Sequence, residues 1–190
     1  MKRKHSVGYF SSYDRGLECL LALWPRIREQ VPDATLDIYY GWDTFDKMFA
    51  QDPGGMKWKW EVIRTLSDLK DQGVTENGRV SHEKLADAMQ EIEVWAYPTQ
   101  FTEIHCITAL KTAEAGMHQV HTGVAALKET APNASIIDCD DIYSNQDKQT
   151  EFINAVVAAL KNPKPSAPPE GRYWPEVAKV WNKELTNGLT

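Results

Sequence analysis

Strand-like and helix-like segments alternate along most of this chain, and that alternation limits its fold more than any other feature. "HSVGYF" reads as a short apolar strand. "RGLECLLALWPRIREQV" follows, with Leu17, Leu20, Leu21, Trp24 and Ile27 on one stripe at helical spacing. Pro25 lies inside that stripe and is expected to kink or split the helix. "ATLDIYYG" is a second strand ended by Gly41, "QDPGGMKW" a turn-rich insertion, and Trp60, Ile63, Leu66 and Leu69 mark the next helix. "GVTENGRV" is a third strand, Ser81 a plausible N-cap for "HEKLADAMQE", and "IEVWAYP" a fourth strand. "FTEIHCITALKTAEAG" reads as a helix opening at the acid Glu103. "HQVHTG" and "ASIIDC" are the fifth and sixth strands with a short helix, "VAALKET", between them, and "KQTEFINAVVAALKN" is the closing helix. Such alternation predicts an α/β domain with a parallel sheet covered on both faces.

Composition narrows the class. With 42% hydrophobic and 25% charged residues, the 190-residue chain suits one compact domain with a real core, or at most two small ones. The net charge of −6, with both signs well mixed, argues against non-specific nucleic-acid binding and leaves room for a local cationic pocket. Cys19, Cys106 and Cys139 are scattered and odd in number, which favours a reducing, cytoplasmic compartment. No apolar run approaches the roughly 20 residues that span a bilayer. "MKRKHSVGYF" lacks a secretory apolar core, and its "MKRK" reads as a solvated terminus. Residues 1–161 form the expected domain and residues 162–172 a Pro-rich spacer. Residues 173–190 form a helix with Trp174, Val177, Ala178, Trp181 and Leu185 on one face. That helix must dock on this domain or on another, and left without its surface it favours self-association into a homo-oligomer.

Doubly wound sheets bind ligands at the carboxyl ends of their strands, where the strand order reverses. The loops to interrogate therefore follow strands one, three and four. "SSYDRGLE" places Ser11, Ser12 and Arg15 at a helix start, either as a phosphate site or as an ordinary cap with a solvated arginine. The free N–H groups from about Ile104 to Ile107 would face the same cleft, so two helix N-termini and one arginine suggest a diphosphate. Glu103 then either accepts hydrogen bonds from sugar hydroxyls or caps its own helix. If both are helical, Glu103 and Lys111 lie about 12 Å apart along the axis on similar sides. "DCDD" (Asp138 to Asp141) reads as a solvated turn rather than a metal motif. His118 and His121 point to opposite faces of a strand, so no metal site is expected from them. Cys106 has no fixed partner that would make it a nucleophile.

In order and spacing, four pieces resemble the donor-binding, C-terminal half of GT-B retaining glycosyltransferases, the large family of glycogen- and sucrose-type synthases. The pieces are "SYDRGLECLLALWPRIREQVPDATLDIYYG", "NGRVSHEKLADAMQEIEVWAYPT", "FTEIHCITALKTAEAG" and "VAALKET", within residues 9 to about 130. The resemblance implies a Rossmann-like doubly wound sheet of about six strands, with the C-terminal amphipathic helix on its Pro-rich tether. It implies that Arg15 contacts a nucleotide diphosphate and that Arg79, Val80 and Ser81 lie against the nucleobase. It implies that Glu103, as the catalytic carboxylate, faces the donor sugar, and that the amides of His105, Cys106 and Ile107 serve the sugar and phosphate. The second acid of the family's E-x7-E motif, which holds the ribose hydroxyls, is replaced here by Lys111. A lysine donates only and cannot accept both hydroxyls, whereas Glu114, one turn on, is a possible substitute acid. Gln119 stands where the family often has proline, which reads as neutral drift.

The function so implied is binding of a nucleotide-diphosphate sugar, UDP- or GDP-linked, for metal-independent retaining transfer with no cofactor. The implied partner is a separate N-terminal Rossmann domain or subunit that holds the acceptor, without which the chain transfers little or no sugar. The alternative is a degenerate binding or structural module that kept the fold and lost the donor site. A flavodoxin-like or phosphate-binding regulator shares the sheet but leaves the ordered pieces unexplained.

Overall fold

The computed structural model describes residues 1–187. Six parallel strands form one sheet in the order β3-β2-β1-β4-β5-β6. They are β1 (Arg3–Tyr9), β2 (Thr35–Tyr39), β3 (Val74–Gly78), β4 (Ile92–Tyr97), β5 (His118–Thr122) and β6 (Ser135–Ile137). This is the doubly wound order, which reverses between β1 and β4. Helices α1 (Leu17–Gln30), α2 (Asp43–Phe49) and α3 (Pro53–Asp68) accompany the first half of the sheet. Helices α4 (His82–Glu91), α5 (Ile107–Glu114), α6 (Leu127–Thr130) and α7 (Gln146–Lys161) follow in the second half, and α8 (Trp174–Asn187) ends the described chain. Right-handed crossovers put α1 and α3 on one face and α4 to α6 on the other. Helix α7 returns to pack beside α1.

Because both faces are covered, the central strands are apolar without alternation: Val94, Trp95, Ala96 and Tyr97 of β4 are all buried. The α1 stripe is buried as expected, but Pro25 does not divide the helix, which runs unbroken across it. The proline removes one helical donor, and burial of Leu20, Leu21, Trp24 and Ile27 outweighs that loss.

Three local expectations are corrected. "QDPGGMKW" is not a turn-rich insertion but the start of α3: the Asp52 carboxylate accepts from the Gly54 and Gly55 amides, and Pro53 sits in the first turn, where its missing N–H costs nothing. Of the expected α3 stripe Leu66 and Leu69 are buried, but its first part is displaced by one residue: Lys59 and Val62 are buried, while Trp60 is exposed and Ile63 half-buried. Lys59 is tolerated inside because its ammonium pairs with Asp46 at 2.5 Å and lies over the Trp42 ring. Nor is "MKRK" simply solvated. Lys2 donates to the Ile92 carbonyl at 2.7 Å, and Arg3 pairs with Asp37 at 2.7 Å.

His118 and His121 are used structurally. His118 meets the Ser135 hydroxyl at 2.9 Å and accepts from the Lys164 amide. The buried His121 ring faces the Thr122 and Ala131 carbonyls. Burial lowers both imidazole pKa values, with Lys164 adding to the effect at His118. In the unfolded chain both titrate near 6.5, so below that value the unfolded state binds more protons. Their contribution to stability is therefore complete above about pH 6.5 and is lost as pH falls through the lowered folded values. The melting temperature is expected to drop on acidification from about pH 7 to about pH 5, and His121→Gln to flatten part of that slope in thermal scans.

The spacer is partly held down. Ser166 donates its amide to the Met117 carbonyl at 2.9 Å, and its hydroxyl accepts from the Gln119 amide at 3.1 Å. Tyr173 then donates to the Glu114 carboxylate at 2.5 Å. Helix α8 leaves Trp174, Val180, Trp181 and Leu185 exposed. Residues 188–190 of the expected terminal helix lie outside the described residues.

Candidate functional site

The strand order reverses between β1 and β4, so the crevice opens where the loops after these two strands meet. The first loop carries Ser11, Ser12 and Arg15, and the second runs from Pro98 to Cys106. Arg15 and Glu103 meet across the gap, with guanidinium and carboxylate 3.7 Å apart. Glu103 is buried, and its carboxylate also accepts from the Tyr97 hydroxyl at 2.8 Å. Burial, followed by the charge of Glu103, raises the Tyr97 pKa, so this phenol stays a donor. Arg15 lies over the Phe101 ring, 3.8 Å from its centroid. Both predicted residues are thus brought together, and each is already partnered.

The local geometry differs from the expectation in one respect. Glu103 does not open the helix: α5 begins at Ile107 with Cys106 as N-cap, so Glu103 and Lys111 do not share a helical axis. The physical reason is that the loop has its own supports. Thr122 accepts from the Thr99 amide and donates to the Thr99 carbonyl, while the Ala126 amide takes the Glu103 carbonyl. Ser11 and Ser12 likewise do not cap α1. They precede a single 3-10 turn, and the N-cap of α1 is Gly16 at φ 117°. His105 is exposed, whereas Cys106 is buried and burial pushes its thiol up to about 11, against a nucleophilic role. Gln119 has a structural role. Fully buried, its amide donates to the Ala109 carbonyl at 2.5 Å and to the Thr112 hydroxyl at 2.8 Å, tying β5 to the inner face of α5.

Beside the loops lies a cavity of about 360 Å³ at the carboxyl ends of the strands. Arg79, Val80, Ile107 and Lys111, all predicted, line it. Ser81 does not; its hydroxyl accepts from the Lys84 amide as the cap of α4. Phe10, Tyr39, Tyr40 and Thr44 also line the cavity, and sequence reasoning missed them. The available signal was "IYYG" at the end of the second strand, two aromatic residues just before a turn. Tyr40 adopts φ 132°, a strained backbone for a non-glycine residue and of the kind that collects at binding sites. Glu114, the possible substitute acid, does not line this cavity but an adjoining groove of about 780 Å³ between α4 and α5, which shares His82, Leu85 and Lys111 with it; there its carboxylate accepts from Tyr173.

The other clusters resolve as structure. Asp138 pairs with Lys128 at 2.7 Å, and Asp141 accepts from the Tyr143 and Ser144 amides. Among the described residues no group of three or more His, Cys, Asp or Glu side chains could hold a metal ion. No helix among them is long and apolar enough to cross a membrane.

Neither a family model nor a curated protein matches this chain. Solved structures do. The pneumococcal O-GlcNAc transferase GtfA, in complex with UDP and GlcNAc, superposes over 99% of this chain with a TM-score of 0.67 at 14% identity. The UDP-forming α,α-trehalose-phosphate synthase of Burkholderia xenovorans matches 84% of the chain with a TM-score of 0.68 at 12% identity. Sucrose-phosphate synthase of Thermosynechococcus elongatus matches 84% with a TM-score of 0.61 at 21% identity. The fold is that of the C-terminal domain of a GT-B glycosyltransferase. This chain spans only 36% of the first of these proteins and 37% of the other two. In this chain Arg15 and Glu103 stand in the crevice between the β1 and β4 loops.

Proposed function

We propose that this chain binds a nucleotide-diphosphate sugar and serves as the donor half of a retaining, metal-independent glycosyltransferase of the cytoplasm. The observation that carries this reading is the meeting of Arg15 and Glu103 at the reversal point, on the loops that supply Phe10 and lead into Ile107 and Thr108 of the cavity. In it, the diphosphate lies against the first amides of α5 and the guanidinium of Arg15, which stabilise it as it leaves. Glu103 accepts from hydroxyls of the sugar, with Tyr97 fixing its carboxylate. The base lies toward Arg79 and Val80, with Phe10, Tyr39 and Tyr40 as an aromatic wall. UDP is the first nucleotide to test, since GtfA was solved with UDP and the trehalose-phosphate synthase is UDP-forming. The acceptor is held by a second Rossmann half, in the same or a partner chain, and α8 grips that half through its exposed tryptophans. A similar structure, the GtfA/B complex, is an assembly of two proteins.

Calorimetric titration with UDP-, GDP- and ADP-sugars tests the reading. One of them is expected to bind, and Glu103→Gln to weaken it roughly tenfold relative to the corresponding nucleoside diphosphate, the size of one lost charge-assisted bond. No heat with any of them would overturn the proposal. It would favour a degenerate binding module, a reading supported by the absence of any carboxylate from the cavity wall among the described residues.

A further inference from the structure

The cavity is unusual in its charge. Arg79 enters from the loop after β3, His82 from the first turn of α4 and Lys111 from α5, and no Asp or Glu joins them among the lining residues. The chain as a whole carries 27 acidic against 21 basic residues. An acid-free wall with two fixed cations and a histidine therefore runs against the composition. Among the described residues, no ion pair or side-chain hydrogen bond engages Arg79, His82 or Lys111. Arg15 is different, because Glu103 and Phe101 already occupy its guanidinium. The unneutralised positive charge thus lies on the cavity side of the crevice.

Its position tells which part of a ligand it meets. Helix α5 turns Ile107, Thr108 and Lys111 toward the cavity. Lys111 stands four residues, about 6 Å along the axis, beyond Ile107 and the open amides that suit a diphosphate. The group next to a diphosphate in a nucleotide is the ribose. A ribose with free hydroxyls is held by acceptors, typically a carboxylate, whereas a basic side chain at that place accommodates a phosphorylated ribose. Lysine donates only, and arginine binds phosphate through paired donors. The Phe10 and Tyr39 rings, stacked with centroids 5.5 Å apart, provide the apolar surface for the base.

We infer that the cavity is selective for a nucleotide whose ribose carries a phosphate in addition to the 5′-diphosphate, held between Lys111 and Arg79. This rests on the nucleotide reading of the crevice. The full chain is titrated by calorimetry at low salt with ADP, its 2′-phosphate and 3′-phosphate derivatives, UDP-glucose and inorganic phosphate. One phosphorylated derivative is expected to bind at least about tenfold tighter than ADP, the scale of a charge-assisted bond, and the two arms identify which hydroxyl bears the phosphate. Lys111→Ala and Arg79→Ala are each expected to bring that ratio toward one, and Lys111→Glu to favour ADP. Both side chains are exposed, and circular dichroism of the variants verifies their folding. Equal affinity for ADP and its derivatives overturns the inference and leaves the nucleotide reading standing. So does a preference that survives Lys111→Ala, or inorganic phosphate binding as tightly as the derivatives. Absence of heat with every nucleotide overturns both.

Discussion

Gly16→Ala is expected to lower the stability of the domain by about 3 kcal/mol or more and to pull the crevice apart. Gly16 holds φ 117°, a backbone that L side chains rarely adopt, so any Cβ there is strained in itself. The added Cβ would also stand 2.4 Å from the Pro98 carbonyl oxygen, 3.0 Å from its carbon and 3.2 Å from the Thr99 Cα. These are backbone atoms of the loop after β4 and cannot rotate aside. Either the start of α1 or the loop that carries Glu103 must move, and each movement separates Glu103 from Arg15. Thermal melting should show a drop of roughly 6–12 °C, given about 2–4 °C per kcal/mol for a chain of this size. Nucleotide affinity should fall in the variant even at temperatures where it remains folded. A melting point within a degree or two of the parent would show that the contact between α1 and the β4 loop is looser than described.

The second large effect is expected at Trp24. Its side chain is fully buried in the middle of α1, and the indole N–H donates to the Gln72 carbonyl at 2.9 Å, just ahead of β3. Trp24→Ala removes a large apolar volume that the surroundings cannot refill, which costs about 3–5 kcal/mol. It also leaves a backbone carbonyl without its donor. Set against a total stability of about 5–15 kcal/mol for a natural domain, that is a substantial share. Trp181→Ala is the matched control: 65% exposed on α8, it is expected to change stability by no more than about 0.5 kcal/mol. Denaturant titration of the two variants beside the parent measures both, and similar losses at the two positions would contradict the burial described here.

The strands and most helices were legible in the residues because parallel strands covered on both faces read as short apolar runs between turn signals, as in "VWAY" of β4. The failures occur where distant parts of the chain decide. Helix α2 and the start of α3 are built around Trp42, Phe45 and Trp58, whose mutual packing no local pattern reveals. The same cluster lets Lys59 turn inward and Trp60 outward, reversing what hydrophobicity alone predicts. In the site, Arg15 and Glu103 were legible because each follows a strand that ends at the reversal point. That Glu103 sits in a loop was not, since Tyr97, Thr122 and Ala126 hold it there across the sheet. Tyr39 and Tyr40 were missed for a related reason: they belong to β2 and its exit, and only the lateral neighbourhood of strand ends brings them to the cavity.

Since all six strands run the same way, the molecule has a base and a mouth. Arg3 begins β1 at the base, and the clasp of Ser166 on Met117 fixes the departing spacer at the base as well. Labels, surface linkages or fusion partners attached through the opening residues or the spacer would therefore stand on the side away from the mouth. A sensor chip loaded in that orientation presents the crevice to the flowing solution.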